Sequence, residues 1–460
     1  MHVVSLSLRT LMSLRLRFVL SCAVLVSAPL AAQQLPPVRP LGPVTKVSPA
    51  DLFGSVTSVR PLPGGGAIVN DLTRRQLLVL DGEFKLKAVI ADTTPATANS
   101  YSSRMAGLIP YRGDSSLFID PQSLSMLVID GVGEVIRVMA VPRPEDATFM
   151  IGGPFGTPGF DPQGRIVYRG FVRPSGRGMG MNMGGPPQPG QPFRAPQMSD
   201  TAPVYRVNLA TRALDTAAFF KIPGSTVSMT QDDKGGMRVS VVTNPMPVVD
   251  DWALMPDGRI AVIRGKDYHV DWLESDGKWT STPKIPYNWE RMDDDAKGKF
   301  LDSTKVELEK QREANQKAMA SGINNAGAML AGAAGGGSMR IEMRMDGGGG
   351  GGGGGGGRPQ QGVQAIQMPA INMVPAKELP DYRPAFKMGA ARADQDGNIW
   401  IRTTSPSDAG AIYDVINSKG ELVDRVKLPF GRVISGFGPG VVYMGVQDGT
   451  SARLEMAKVK

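Results

Sequence analysis

The stretch Asp250–Tyr287, DDWALMPDGRIAVIRGKDYHVDWLESDGKWTSTPKIPY, decides the fold. Asp257-Gly258 and Asp276-Gly277 each stand between apolar runs, which is a strong signal for hairpin turns. The run 260–263, IAVI, is wholly apolar, as expected of a strand that is buried on both faces. The segment 268–273, YHVDWL, alternates more, as a half-covered outer strand would. The stretch therefore predicts a small meander, which needs further copies of itself to bury its faces.

The chain contains those copies. The inner strand recurs as FDPQGRIVYR at Phe160–Arg169 and as ADQDGNIWIR at Ala393–Arg402. The outer hairpin recurs along the chain at Gln76–Ile90, Leu124–Val141, Val204–Phe220, Tyr268–Ile285 and Ile412–Leu428. A four-stranded unit of roughly 40–50 residues, repeated around an axis, is typical of a β-propeller. We therefore predict an all-β fold, a six-bladed β-propeller, with units at 56–92, 100–144, 151–223, 225–287, 369–429 and 430–460.

The last of these units is too short to form a complete blade. We expect a strand near Leu52–Val59 to complete it and to close the ring. The alternative fold is a β-sandwich with long irregular loops, but a sandwich does not predict a recurring outer hairpin.

The N-terminal residues 1–32 have the features of a signal peptide. Three arginines precede the apolar run Phe18–Leu30, and small residues follow it. We expect cleavage near Ala32, a periplasmic or secreted protein, and no transmembrane segment in the mature chain. Cys22 offers an alternative, a lipid anchor, although lipidation there would leave almost no apolar segment before it.

Residues 33–50 are rich in proline and are expected to form an extended lead-in to the propeller at 51–460. Two insertions interrupt the repeats. The first, 175–200, is rich in Gly, Met and Pro and is expected to be a disordered loop. The second, 290–367, is expected to contain one helix at 293–320 and then a disordered linker with an unbroken glycine run.

The composition limits the chemistry that the mature chain can perform. It has no cysteine after cleavage and one histidine, His269, so disulfides, thiol nucleophiles and His-rich metal sites are excluded. No metal site and no cofactor are therefore predicted. Asp394–Gly397 resembles half of a calcium loop, so calcium stays an alternative, although the later bidentate Glu of that motif is missing. The net charge of +8 is unclustered and does not indicate nucleic acid binding.

Three arginines, Arg169, Arg264 and Arg402, close the inner strands of three units. Equivalent positions in a propeller approach one rim of the central channel, where three guanidinium groups would bind an anion or a carboxylate. The alternative is that each arginine caps a strand end and pairs with a neighbouring Asp.

Three further residues are candidate ligand contacts. His269 is the one histidine of the mature chain and could serve as a general base, although a packed or surface histidine is the commoner case. Tyr287 and Trp289 stand next to the second insertion and are candidates for the wall of a binding cleft, with packing between blades as the alternative.

The signal segment, the inner strands GRIVYR, GRIAVIR and GNIWIR, and the Asp-Gly hairpins together resemble a family. The chain is similar to the exported six-bladed β-propeller proteins of NHL and TolB-like type found in Gram-negative and related bacteria. The resemblance covers residues 52–460 apart from the two insertions. It implies the fold and export, and little about activity, because one fold hosts many functions.

Three hypotheses about function follow. In the first, the chain is a non-enzymatic binding or scaffolding module for an envelope protein or a small anionic ligand. In the second, it is an enzyme of lactonase or lyase type with a metal at the central channel, like the gluconolactonase and streptogramin lyase propellers. In the third, it is a purely structural surface protein. An arginine-lined axis would favour anion binding, and an acidic cluster there would favour the enzyme.

Overall fold

The structure, a computed structural model, describes residues 35–94, 99–103, 105–171, 199–224, 226–231, 237–320, 371–405, 407 and 410–460. The strands of its first half, numbered in chain order, are β1 Val38–Pro40, β2 Val44–Val47, β3 Ser58–Pro61, β4 Ala67–Asp71, β5 Gln76–Leu80, β6 Leu86–Ala91, β7 Gly107–Pro110, β8 Ser116–Asp120, β9 Ser125–Ile129, β10 Val135–Ala140, β11 Gly159–Phe160, β12 Arg165–Arg169, β13 Thr201–Asn208 and β14 Leu214–Lys221.

The remaining elements are β15 Thr226–Gln231, β16 Met237–Thr243, β17 Asp251–Leu254, β18 Ile260–Arg264, β19 His269–Leu273, β20 Trp279–Ser281, the helix α1 Asp294–Ala320, β21 Asn372–Met373, β22 Phe386–Ala393, β23 Ile399–Thr403, β24 Ile412–Ile416, β25 Leu422–Lys427, β26 Arg432–Gly438, β27 Val441–Asp448 and β28 Ser451–Lys458. Short 3-10 turns lie at Pro63–Gly65, Pro144–Ile151, Gly153–Phe155 and Ala376–Glu378.

Six sheets form the blades of a ring. Blades 1 to 4 are β3–β6, β7–β10, β11–β14 and β17–β20; blade 5 is β22–β25 with β1 added at its outer edge, and blade 6 is β26–β28 with β2. In each blade the strand named first, such as β3 in blade 1 and β26 in blade 6, lies nearest to the axis of the ring, and we call it the inner strand from here on. Neighbouring inner strands contact one another, as β3 does with β7, β17 with β22, and β26 with β3.

The apolar run of blade 4 shows how the ring is held together. Successive side chains of a strand point to opposite faces of its sheet. Ile260 and Val262 therefore pack against blade 3, and Ala261 and Ile263 pack against blade 5. A buried cluster of this kind fills each of the six gaps between successive blades, including the gap between blades 6 and 1. The predicted six-bladed β-propeller is confirmed, as are all five outer hairpins. The three recurring strands that were predicted as inner strands are present as β12, β18 and β23, but each is the second strand of its blade, one position away from the axis.

Two details differ from the prediction. The strand that completes blade 6 is β2, which pairs with β28 from within the expected lead-in, whereas Ser58–Pro61 at the end of the predicted Leu52–Val59 strand belongs to blade 1. The hairpin β15–β16, expected within the fourth unit, forms a separate three-stranded sheet with β21. In both cases the partner strand is distant in sequence, so no local pattern could assign it.

The predicted helix is present as α1. The Asp293 carboxylate accepts a hydrogen bond from the Ala296 backbone N–H at 2.8 Å, which caps its first turn. Its first turns pack through Phe300 and Leu301 on a small cluster that includes Leu379. The predicted signal peptide with Cys22, most of the 175–200 insertion, and the glycine-rich part of the 290–367 insertion lie outside the described residues. Within the described residues, no helix is long and apolar enough to cross a membrane.

Candidate functional site

The predicted arginines lie at one face of the ring, the face where the inner strands begin, which we call the rim. In each blade the inner strand is antiparallel to the second strand. The inner strand therefore begins beside the end of the second strand. The pairs Gly159 with Val167, Asp251 with Ile263, and Phe386 with Thr403 fix this arrangement in blades 3, 4 and 5. Arg169, Arg264 and Arg402 stand at or next to these strand ends.

Arg264 is engaged by two carboxylates of its own blade. Its Nη1 lies 2.9 Å from Oδ2 of Asp250, and its Nε lies 2.6 Å from Oδ2 of Asp271. His269 is the cross-strand neighbour of Arg264, and its Nε2 lies 3.3 Å from the other oxygen of Asp271. Asp271 therefore joins Arg264 and His269 in one polar cluster, in which the guanidinium charge is already compensated.

Arg169 has a different environment. It is only 2% exposed, and its guanidinium carbon lies 5.5 to 5.9 Å from the ring centres of Phe149, Phe155 and Phe220. Its Nη1 donates to the sulfur of Met388 at 3.6 Å, and its Nε is buried without a hydrogen-bond acceptor among the described residues. Burial lowers the pKa of Arg169 to about 10, and the charge of Asp251 opposes that shift.

Arg402 faces a bulge in the inner strand of blade 5. The pairing steps from Phe386–Thr403 to Ala391–Ile401, so residues 387–390 of β22 stand opposite Arg402 alone. We call these four residues the β22 bulge. Gly389 within it has a φ of +77°, a conformation that glycine adopts without strain. Desolvation and then the positive charges of Arg402 and Arg383 lower the pKa of Lys387.

Asp251 holds the bulge in place from blade 4. Its Oδ2 accepts the Ala391 N–H at 2.8 Å and its Oδ1 accepts the Trp252 N–H at 3.0 Å. The side chain is fully buried, and this burial raises its pKa to about 6 against the effect of those hydrogen bonds. The carboxylate thus fixes the backbone that carries Lys387.

The predicted aromatic pair also lies next to blade 5. The rings of Tyr287 and Trp289 contact each other at 5.3 Å, and Trp289 is 38% exposed. The Tyr287 hydroxyl lies 3.3 Å from Oγ of Ser405, three residues beyond Arg402. Tyr287 also packs edge-on against the buried ring of Tyr268 at 5.6 Å, so it serves the interface between blades 4 and 5 as well.

Sequence reasoning missed Asp251, Lys387 and Met388. Of these, Lys387 and Met388 owe their positions to the β22 bulge, and the isolated Gly389 inside a strand pattern is a signal that could have indicated it. Asp251 gave no comparable signal, because its role depends on N–H groups of another blade.

The described residues offer little for a metal. They contain no group of three or more His, Cys, Asp or Glu side chains arranged to hold one. In the calcium-like turn, Oδ2 of Asp394 accepts hydrogen bonds from Trp400 Nε1 and Asn398 Nδ2, both at 2.9 Å, so the oxygens serve the turn itself.

Comparison with known proteins does not assign an activity to this site. No family model and no curated protein matches the chain. Similar solved structures include a DUF4221 family member from Bacteroides vulgatus, with 10% identity, coverage of 91% of this chain and 98% of that chain, and a TM-score of 0.44. A gluconolactonase from Xanthomonas campestris has 11% identity, coverage of 91% and 99%, and a TM-score of 0.35. Virginiamycin B lyase from Staphylococcus aureus has 8% identity, coverage of 90% and 98%, and a TM-score of 0.35. Such distant likeness carries no inference about activity.

Proposed function

We propose that the chain is an exported β-propeller that binds a small anionic ligand at the rim, between Arg169, Lys387 and Arg402. Export rests on the signal-peptide pattern of residues 1–32. The observation that carries the proposed binding is the β22 bulge, because it presents Lys387 to Arg402 on one side and Met388 to Arg169 on the other. Three cations are thereby gathered around four backbone residues.

The charges around the bulge favour an anion. Desolvation, and then the charges of Arg402 and Arg383, disfavour the charged form of Lys387, and a bound carboxylate or phosphate would favour it. Asp251 is buried beneath the bulge, and its oxygens accept backbone N–H groups, although its charge also acts on Arg169. Arg264 takes no part in this proposal, because Asp250 and Asp271 already pair with it.

Arg169 gives the proposed site its specificity for a planar anion. Its Nε lacks an acceptor among the described residues, and a guanidinium group pairs with a carboxylate through two parallel hydrogen bonds. The side chain that contacts its Nη1 is a methionine, which is flexible and adapts to a new shape at little cost. A ligand would therefore displace Met388 to reach Arg169.

Thermal unfolding of residues 33–460 with acetate, succinate and phosphate, at constant ionic strength, tests this proposal. A ligand that binds the folded state raises its melting temperature. We expect Arg402→Gln and Lys387→Gln each to weaken binding about tenfold, since a hydrogen bond to a charged group is lost. Lys278→Gln is the matched control, because its side chain is 80% exposed on blade 4.

A second variant separates binding from folding. Arg169→Met removes a desolvated charge from an aromatic cage, so we expect the fold to be retained and the response to anions to be lost. If no anion raises the melting temperature of the parent protein, the rim is not an anion site, and an envelope protein as partner becomes the better hypothesis.

An enzyme of lactonase or lyase type is the second candidate, and Asp251 is the observation in its favour. A buried carboxyl group with a raised pKa next to the central channel is the kind of group that acts as an acid or a base. Its surroundings do not fit a metal ion, because its oxygens accept N–H groups and its charged neighbours are Arg169 and Arg392. Lactone hydrolysis that is lost in Asp251→Asn would favour the enzyme over the binding protein.

A further inference from the structure

A cavity is lined by blade 3 and by the segment that precedes it, and it shares no lining residue with the rim site. Its volume is about 300 Å³, which is at the small end of the range for ligand pockets. Its lining combines the rings of Phe171, Tyr205 and Phe219, which we call the aromatic wall, with the charged side chains of Arg143 and Asp146, which we call the polar end. A lining of aromatic rings with a few polar groups is the usual composition of a site for a small organic ligand.

The polar end is a fixed arrangement of charges. Oδ2 of Asp146 accepts hydrogen bonds from Arg143 Nε at 2.7 Å and from the Tyr168 hydroxyl at 3.0 Å, and the Asp146 side chain is 4% exposed. Its Oδ1 receives no hydrogen bond from the part of the chain that the structure describes. Arg143 also pairs with Glu145 at 2.9 Å. The cavity lining therefore offers an acceptor, Asp146, and a donor, Arg143, which carry opposite charges and hold each other in place.

The aromatic wall is equally well supported. Gly170 allows the Tyr205 ring to lie against the backbone, because a Cβ at position 170 would be 2.0 Å from Cε2 of Tyr205. Phe171 stacks on Phe149 with ring planes 7° apart. Phe219 is 56% exposed, so its ring presents a large open surface beside the cavity. Rigid rings of this kind provide contact area at a low cost in conformational entropy.

We propose that this cavity binds a saccharide of one or two rings. A cationic ligand would be attracted by Asp146 and repelled by Arg143, and an anionic ligand would meet the opposite combination. A neutral ligand with many hydroxyl groups forms hydrogen bonds with both side chains, because a hydroxyl donates to Oδ1 of Asp146 and accepts from the Arg143 guanidinium. The C–H face of a sugar ring is apolar and covers the exposed ring of Phe219.

Saturation-transfer NMR of the full-length mature protein with maltose, lactose and N-acetylglucosamine tests the proposal, with calorimetry for the affinity. We expect transfer to the ring protons of at least one sugar, and a roughly tenfold weaker affinity in Phe219→Ala. Phe430→Ala is the matched control, because Phe430 is 78% exposed and lies between blades 5 and 6. Both variants remove exposed rings, so both are expected to fold.

Three results would overturn the proposal. The first is a lack of transfer to all three sugars. The second is binding that Phe219→Ala leaves unchanged, because the sugar would then occupy another site. The third is binding of tetramethylammonium or acetate that depends on Phe219 and excludes the sugars, because the cavity would then select a charge. None of these results depends on whether the rim binds an anion.

Discussion

Asp251 shows how a single residue makes the stability of the propeller depend on pH. Burial raises the pKa of its carboxyl group from 3.8 to about 6. A raised folded-state pKa means that the folded chain holds this proton more tightly than the unfolded chain does. The resulting stabilisation is fully present below about pH 4 and is lost as the pH rises to about 6, and the shift of about two units corresponds to roughly 3 kcal/mol.

The pH dependence that Asp251 causes can be measured by comparing the parent protein with Asp251→Asn. We expect the free energy of unfolding of the parent protein, measured in urea, to fall relative to that of Asp251→Asn between about pH 4 and pH 6. Asp276→Asn, at an exposed turn, serves as the control for removing a carboxylate. Parallel pH profiles for the parent protein and Asp251→Asn would show that Asp251 titrates in the folded protein as it does in the unfolded chain.

The candidate site was predictable only in part, for a reason that is visible at single residues. Arg169, Arg264 and Arg402 occupy similar positions in a repeated pattern, so the sequence treats them as equivalent. The structure distinguishes them by neighbours from other strands: Asp250 and Asp271 pair with Arg264, whereas three Phe rings surround Arg169. The repeat predicts where a side chain lies in a blade, but its charge environment depends on side chains from other strands and loops.

At the scale of elements, the two Asp-Gly turns of blade 4 also share a sequence pattern but differ in their contacts with the neighbouring blade. Both were predicted from the same dipeptide, and Gly258 and Gly277 have nearly the same φ, +88° and +86°. A Cβ at Gly277 would meet nothing within 4 Å, but a Cβ at Gly258 would lie 2.2 Å from Cδ of Pro162 in blade 3. Local sequence thus predicts each turn correctly and does not reveal that one of them touches the neighbouring blade.

Alanine substitution at the two glycines should separate these effects. Gly277→Ala is expected to cost about 1 kcal/mol of unfolding free energy, from the positive φ alone. Gly258→Ala should cost about 1–3 kcal/mol more of unfolding free energy than Gly277→Ala, because Pro162 and its turn must move. Chemical denaturation of both variants measures the difference. Equal losses would mean that the contact between blades 3 and 4 yields without cost.

At the scale of the whole molecule, the ring is completed by the segment that was expected to be a lead-in. β1 pairs in parallel with β25 of blade 5, and β2 pairs with β28 of blade 6. Between them Leu41 is buried in the cluster that joins these two blades. The extended, proline-rich composition of this segment is compatible with edge strands, which form only where a distant partner offers an open edge.

Removal of residues 33–47 therefore tests the closure of the ring. The deletion uncovers the edges of β25 and β28, so we expect a loss of roughly 3 kcal/mol and self-association at raised concentration, because open strand edges pair with other chains. Arg39→Gln is the matched control: it removes the ion pair with Asp424, whose Nε–Oδ2 distance is 2.9 Å, and keeps both strands. Its cost should stay below about 1 kcal/mol, because Arg39 is partly exposed. Thermal unfolding and light scattering report both effects. A deletion variant that stays monomeric and melts with the parent protein would show that the contact between blades 6 and 1 closes the ring by itself.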